Sequence, residues 1–273
     1  METNTVSTSW KRPGHIPMRV LLLGGTGEGM LLAERLAARA GLHAISSLAG
    51  RVKALKLPVG AVRSGGFGGV SGLMTYLQEE GIDVVVDATH PFAAQMSRHA
   101  EMACQALELP LLAYARPAWA RVDGDQWDEV PDLRAAAELV HRRKGRVFLA
   151  IGRQEVAAFS ECSEAFFVVR AIDMPDVLPP HATVILDRGP FELEADMEML
   201  RKHGIDYIVC KNSGGAATYS KVEAARLLGL RVMMIQRPRK HTVSTCEDLD
   251  ALLDQIDQLQ QQGFDTRREG CCT

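Results

Sequence analysis

From residue 19 onward the chain alternates short apolar runs with stretches in which apolar residues recur every three or four positions. Runs rich in Val, Ile and Leu at 19–23, 43–47, 82–88 and 109–113 have the length of strands buried on both faces. Helical period follows each of the first three: over 30–40, then from Val70 through Leu73, Met74 and Leu77, then from Phe92 through Met96, Ala100 and Ala103 to Leu107. A second series carries strands at 146–151, 166–170, 183–186, 206–210 and 231–235, with helices at 133–143, 192–203, 216–228 and 246–260. The last helix sets Leu249, Leu252, Leu253, Ile256 and Leu259 on one stripe. Strands alternating with helices predict an α/β fold with parallel sheets.

Periodicity lapses between the two series, where Pro117, Trp119, Gly124, Trp127 and Pro131 collect. The expected organisation is therefore a polar extension over 1–17, a first domain over 18–115, a crossover over 116–131, a second domain over 132–260 and a polar tail over 261–273.

Composition narrows the function classes. The 31 Lys and Arg face 34 Asp and Glu, so no general basic field exists to hold nucleic acid or an anionic membrane. No apolar run approaches the roughly 20 residues of a membrane helix, and the first 17 residues lack the apolar core of a secretory signal. Six cysteines without a C-x-x-C pair, none at ligand spacing from a histidine, predict a reduced, cytoplasmic protein without a metal site. No G-x-S-x-G elbow and no G-x-x-x-x-G-K-[ST] loop is present.

The first strand runs directly into Gly24-Gly25-Thr26-Gly27-Glu28-Gly29 and then into a helix. There, peptide N–H groups and the helix dipole cradle a pyrophosphate. Counted from Gly25 the strict G-x-G-x-x-G fails, because the third place is Met30. A tight βα turn alone is the competing reading. At the end of the second strand, where an NAD site places an acid against the ribose 2′-hydroxyl, this chain has Ser46-Ser47-Leu48-Ala49-Gly50-Arg51. A hydroxyl and a guanidinium suit a 2′-phosphate, so Ser47 and Arg51 predict NADPH as cofactor, against the competing reading of Arg51 as a solvated loop charge.

Cations gather at the strand ends of the second series: Arg153, Arg170, Arg188 and Arg237, with Arg116 closing the first. The segment Lys211-Asn212-Ser213-Gly214-Gly215 through Tyr219 to Lys221 follows a strand and opens a helix, a second place suited to an anion.

Four motifs in order, Gly24 to Glu28, Ser47 to Arg51, Asp87-Ala88-Thr89-His90-Pro91-Phe92-Ala93 and Lys211 to Gly215, resemble the precorrin-6A reductase family of cobalamin biosynthesis. The resemblance implies two Rossmann-like domains facing a cleft, and hydride transfer from a reduced nicotinamide to the C18=C19 bond of precorrin-6A, giving precorrin-6B. It implies that Gly24, Gly25, Thr26, Gly27 and Glu28 meet the pyrophosphate, and that Gly66, Phe67, Gly68 and Thr89 border the cofactor. The tetrapyrrole's carboxylates would fall to Arg116, Arg153, Arg188, Lys211, Asn212, Ser213, Gly214, Lys221 and Arg237. His90, Lys211 and Tyr219 are the candidate catalytic groups, with His90 equally readable as a structural histidine. Other corrin-pathway enzymes are the implied hand-over partners. A cobalt-containing substrate and a non-catalytic NADP-sensing module remain open. A short-chain-type carbonyl reductase does not fit, since Glu223 occupies the place of the lysine in Tyr-x-x-x-Lys.

Overall fold

The structure is a computed structural model; it describes residues 17–49, 57–238 and 245–269, of which 263–269 as backbone only. In the first half, β1 (Met18–Leu23), β2 (Leu42–Leu48), β3 (Ala61–Ser64), β4 (Val84–Asp87) and β5 (Leu111–Tyr114) are connected through α1 (Gly27–Ala37), α2 (Gly69–Glu79) and α3 (Ala94–Ala106). The second half begins with β6 (Gln126–Val130), α4 (Leu133–Arg143), β7 (Gly145–Ala150), β8 (Ala165–Ala171) and β9 (Ala182–Leu186). It continues through α5 (Leu193–Lys202), β10 (Tyr207–Lys211), α6 (Ser220–Leu227) and β11 (Arg231–Ile235), and the chain ends with β12 (Thr245–Cys246) and α7 (Leu249–Glu269).

Among the described residues two six-stranded sheets form, in the orders β12-β5-β4-β1-β2-β3 and β6-β11-β10-β7-β8-β9, with every pairing parallel. Each repeats the doubly wound order 3-2-1-4-5-6. In both, however, the sixth strand comes from elsewhere in the chain: β12 from the C-terminus completes the first sheet, and β6 from the connection completes the second. The α/β fold with two Rossmann-like sheets is thus present, with domain limits that differ from those expected.

The 116–131 crossover contains a strand, β6, whose five residues register with Arg231 to Ile235. The final helix, expected in the second domain, packs on the first sheet. Leu252, Leu253 and Ile256 are buried with Met18, Leu22, Leu32 and Val84 in one core. An amphipathic stripe declares that a face is buried but not against which sheet, and that choice is made by chain connectivity.

Local chemistry explains the remaining elements. β1 presents Val20, Leu21, Leu22 and Leu23 to helices on both faces and is at most 1% exposed over these four. Each such leucine contributes roughly 1.5–3 kcal/mol of burial. Thr26 caps α1, its Oγ1 accepting the Gly29 N–H at 3.0 Å, and Asp132 caps α4 through the Ala135 N–H at 2.8 Å. Gly72 allows α2 to lie against the preceding loop, for a Cβ there would fall 1.7 Å from the Phe67 carbonyl oxygen.

Candidate active site

In a doubly wound sheet the ligand crevice opens where the strand order reverses, at the carboxyl ends of the strands. In the first sheet that place lies between β1 and β4, whose following loops hold Gly25 to Glu28 and His90 to Ala93. In the second it lies between β7 and β10, followed by Ile151 to Glu155 and by Ser213 to Thr218. All four loops line one cleft of about 710 Å³.

The first wall is a glycine turn. Gly25 holds φ +109°, and a Cβ on Gly25 or Gly27 would meet nothing within 4 Å, so the backbone there faces open space. Gly29 differs: a Cβ would lie 3.3 Å from Thr26 Oγ1 and 3.4 Å from Gly24 Cα. Gly29 therefore allows the close helix packing that the third glycine of the dinucleotide fingerprint provides, and the spacing holds when counted from Gly24, with Thr26 in the middle place. The N–H groups of Gly27 and Glu28 find no acceptor among the described residues. This open turn fits a dinucleotide pyrophosphate. The Glu28 carboxylate is held by Arg116, which donates to both oxygens at 2.8 and 2.9 Å and so neutralises the acid beside the glycine turn.

The second wall carries charge. Lys211 Nζ donates to Glu155 Oε2 at 2.7 Å and lies 5.0 Å from the Phe92 ring centre. Glu155 also accepts the Gly152 N–H at 2.8 Å, which fixes the pair at the mouth of β7. Lys221 is 4% exposed; its Nζ donates to the Thr218 carbonyl and sits 4.7 Å from the Trp119 ring centre. Burial pushes its ammonium down to about 8. Arg170 pairs with the buried Asp196, which also accepts from Ser220 Oγ at 2.6 Å, and stacks 3.6 Å from the Phe191 ring centre. Phe92, Ile151, Ile172 and Phe191 add apolar surface between these charges.

His90 lines the cleft, and its Nδ1 accepts the Phe92 N–H at 3.2 Å. This assigns the proton of the neutral ring to Nε2. Thr89 closes β4 with its hydroxyl donating to Asp87 Oδ1 at 2.6 Å.

Of the expected ligands to substrate, Arg116, Arg153, Lys211, Ser213, Gly214 and Lys221 border the cleft. Others are occupied elsewhere. Arg237 donates to the carbonyls of Asn212, Arg116 and Pro117 at 2.8, 2.7 and 3.0 Å, satisfying backbone where the two connections cross. Asn212 clamps Trp119 through its N–H and carbonyl, at 2.8 and 3.0 Å. Arg188 is exposed, and its backbone N–H donates to Asp187 Oδ1 at 2.8 Å. The Tyr219 hydroxyl accepts from Arg226 at 3.2 Å while its ring packs 5.7 Å from Trp119, so it does not face the cleft. Gly24, Ser47, Gly66, Phe67 and Gly68 lie at or just beyond the carboxyl ends of β1, β2 and β3, beside the cleft rather than in its wall. Arg51 lies outside the described residues. Glu155 and Arg63 were not apparent as site residues; each gains meaning only from the strand end its loop or strand brings it to.

Paired switch points across a charged cleft define a two-domain α/β enzyme of the doubly wound class. The family model described as Precorrin-6x reductase CbiJ/CobK matches residues 19–257, and the chain belongs to that family. It is 50% identical over 221 residues to a precorrin-6A reductase of Rhodococcus erythropolis, covering 81% of this chain and 89% of that protein. A precorrin-6A reductase of Rhodobacter capsulatus is 44% identical over 237 residues, covering 86% and 94%. The solved structure of CobK precorrin-6A reductase superposes with a TM-score of 0.82 at 42% identity, covering 89% of this chain and 97% of that one.

Proposed function

We propose that this chain reduces the C18=C19 bond of precorrin-6A to give precorrin-6B with NADPH as reductant. The observation that carries this reading is the facing of two switch points: an open glycine turn on one wall, and on the other Lys211, Lys221 and Arg153 interleaved with apolar side chains. A tetrapyrrole offers the matching surface, an apolar ring fringed by carboxylates. The Gly25 to Glu28 turn would hold NADPH, which would supply the hydride equivalent.

The chain's own residues supply position and charge. Lys211 meets a substrate carboxylate by exchanging it for Glu155, its partner in the free protein. Lys221, fixed by Thr218 and Trp119, adds a second cation at depth. Phe92 and Phe191 give the ring flat surfaces to lie against. His90 and Lys211 both line the cleft and are the side chains from which the neighbouring carbon would take its proton. The reading takes a small-molecule tetrapyrrole as partner and the cytoplasm as compartment, in keeping with the free thiols Cys104, Cys162 and Cys210.

A cobalt-containing substrate is less well supported: the cobalt-precorrin-6A reductase of Priestia megaterium is 29% identical over 233 residues. The test is anaerobic incubation with precorrin-6A and NADPH, followed by mass analysis. A gain of two hydrogens is expected; cofactor binding without that gain overturns the reading.

A further inference from the structure

Arg63 belongs to none of the glycine or strand-end motifs. It is the third residue of β3, a four-residue edge strand, and stands opposite Ser47 in the parallel register. Its guanidinium is held on three sides. Nη1 donates to Ser47 Oγ at 2.7 Å and to the Gly65 carbonyl at 3.0 Å, and Nη2 donates to the Gly66 carbonyl at 3.1 Å. The Phe67 ring centre lies 3.7 Å from Cζ, so one face of the plane is covered.

Ser47 connects this cluster to the glycine turn. Its carbonyl accepts the Gly24 N–H at 3.0 Å, one peptide from the Gly25 cradle. At this point of a doubly wound sheet, the end of the second strand, a side chain meets the 2′ oxygen of the adenosine ribose. The Ser47 hydroxyl already accepts from Arg63, which leaves its own proton to donate. Arg63 keeps its Nε–H and one Nη2–H without an acceptor among the described residues. A fixed guanidinium and a hydroxyl donor, side by side and without a carboxylate hydrogen-bonded to either, form a site for a phosphate dianion.

We infer that Arg63, acting with Ser47, grips the 2′-phosphate and sets the preference of this chain for NADPH over NADH. This rests on the NADPH reading above and assigns the discrimination to β3 rather than to Arg51. Phe67 acts as the backing plate of the guanidinium. The competing role, in which Arg63 only ties residues 64–66 to β2, disturbs the turn for both cofactors equally.

Calorimetry on the full chain separates these roles, using NADP⁺, NAD⁺, and ADP-ribose with and without a 2′-phosphate. The wild type is expected to bind the phosphorylated member of each pair about tenfold or more tightly. Arg63→Met is expected to lose about tenfold or more for NADP⁺ and to bind NAD⁺ within about threefold of the wild type. Arg63→Lys keeps the charge but not the fork, and is expected to recover part of the preference; it carries the same test should Arg63→Met fail to fold. A wild type without preference overturns the NADPH reading and this inference together. A wild-type preference that survives in both Arg63 variants, or that Arg51→Ala removes while they do not, overturns the inference alone. So does an equal loss for both cofactors.

Discussion

Arg116 grips both carboxylate oxygens of Glu28 while its Nε donates to the Ser213 carbonyl at 2.6 Å, so one guanidinium joins the first turn of α1 to the loop after β10. Both side chains are less than a quarter exposed. The bond spans the two walls of the cleft and holds the glycine turn after β1 against the loop after β10.

Arg116→Ala should therefore act on both ligands. Charged hydrogen bonds of this kind contribute about 1.5–3 kcal/mol, and the stranded Glu28 carboxylate would oppose a pyrophosphate. Cofactor Kd and substrate KM are each expected to rise about tenfold or more. A change confined to one of them, measured by calorimetry and initial rates, would show that the pair does not couple the walls.

Lys211→Met removes a cleft cation and leaves Glu155 facing the substrate's carboxylates. A loss of about tenfold to hundredfold in kcat/KM is expected, with binary NADPH affinity held within a few-fold. Adding Glu155→Gln should recover part of the loss, because the repelling charge is gone. Double-mutant kinetics check this; strict additivity refutes the pairing as the cause.

Lys221 titrates where assays are run. Its ammonium is pushed down to about 8 from an ordinary 10.5 by burial, so its charge is present below pH 8 and lost above it. Substrate KM is expected to climb as pH rises through about 8, and Lys221→Arg should flatten that climb. The sign for stability is opposite. Between about 8 and 10.5 the unfolded chain binds more protons at this site, so this group's contribution to stability increases with pH through that window. The KM profile of the two proteins decides the first point, and urea unfolding across the same window decides the second.

Gly214 adopts φ +65°, and a Cβ there would lie 2.1 Å from the Pro117 carbonyl oxygen and 2.6 Å from Arg237 Nη2. Gly214→Ala combines backbone strain with a clash where the connections cross. A loss of roughly 2–4 kcal/mol of stability is expected, read as a fall in Tm. An unchanged Tm would mean that the crossing relaxes freely.

Leu252→Ala tests the placement of α7. The side chain is fully buried against the first sheet, and its truncation should cost about 2–5 kcal/mol in denaturant unfolding. The loss should be relieved in part by saturating cofactor, since the cavity opens in the sheet that carries the glycine turn. No relief would place α7 outside that folding unit.

Much of the architecture was legible because buried parallel strands are unbroken apolar runs and their helices carry stripes: β1, β4, β7, β10 and β11 all read this way. The glycine turn was legible from its position after β1. What escaped were β3, β6 and β12, edge strands of two to five residues that mix polar with apolar side chains. Arg63 escaped with its strand, since its meaning depends on standing opposite Ser47. Arg237, a cation at a strand end, and Asn212, within the Lys211 to Gly215 motif, are expected to meet substrate. In the structure their partners are main-chain carbonyls and an N–H where two connections cross, and no local pattern announces such a demand.

The exchange of sixth strands has a consequence for how the protein comes into being. As the chain leaves the ribosome, the first sheet is made up to β5 and then waits, one edge open and the core over Leu22 and Leu32 uncovered, while the whole second sheet is synthesised. The second sheet, by contrast, receives its own edge strand before any of its other strands. The half with the glycine turn is thus started first and finished last, and it cannot be obtained by cutting the chain at any single point.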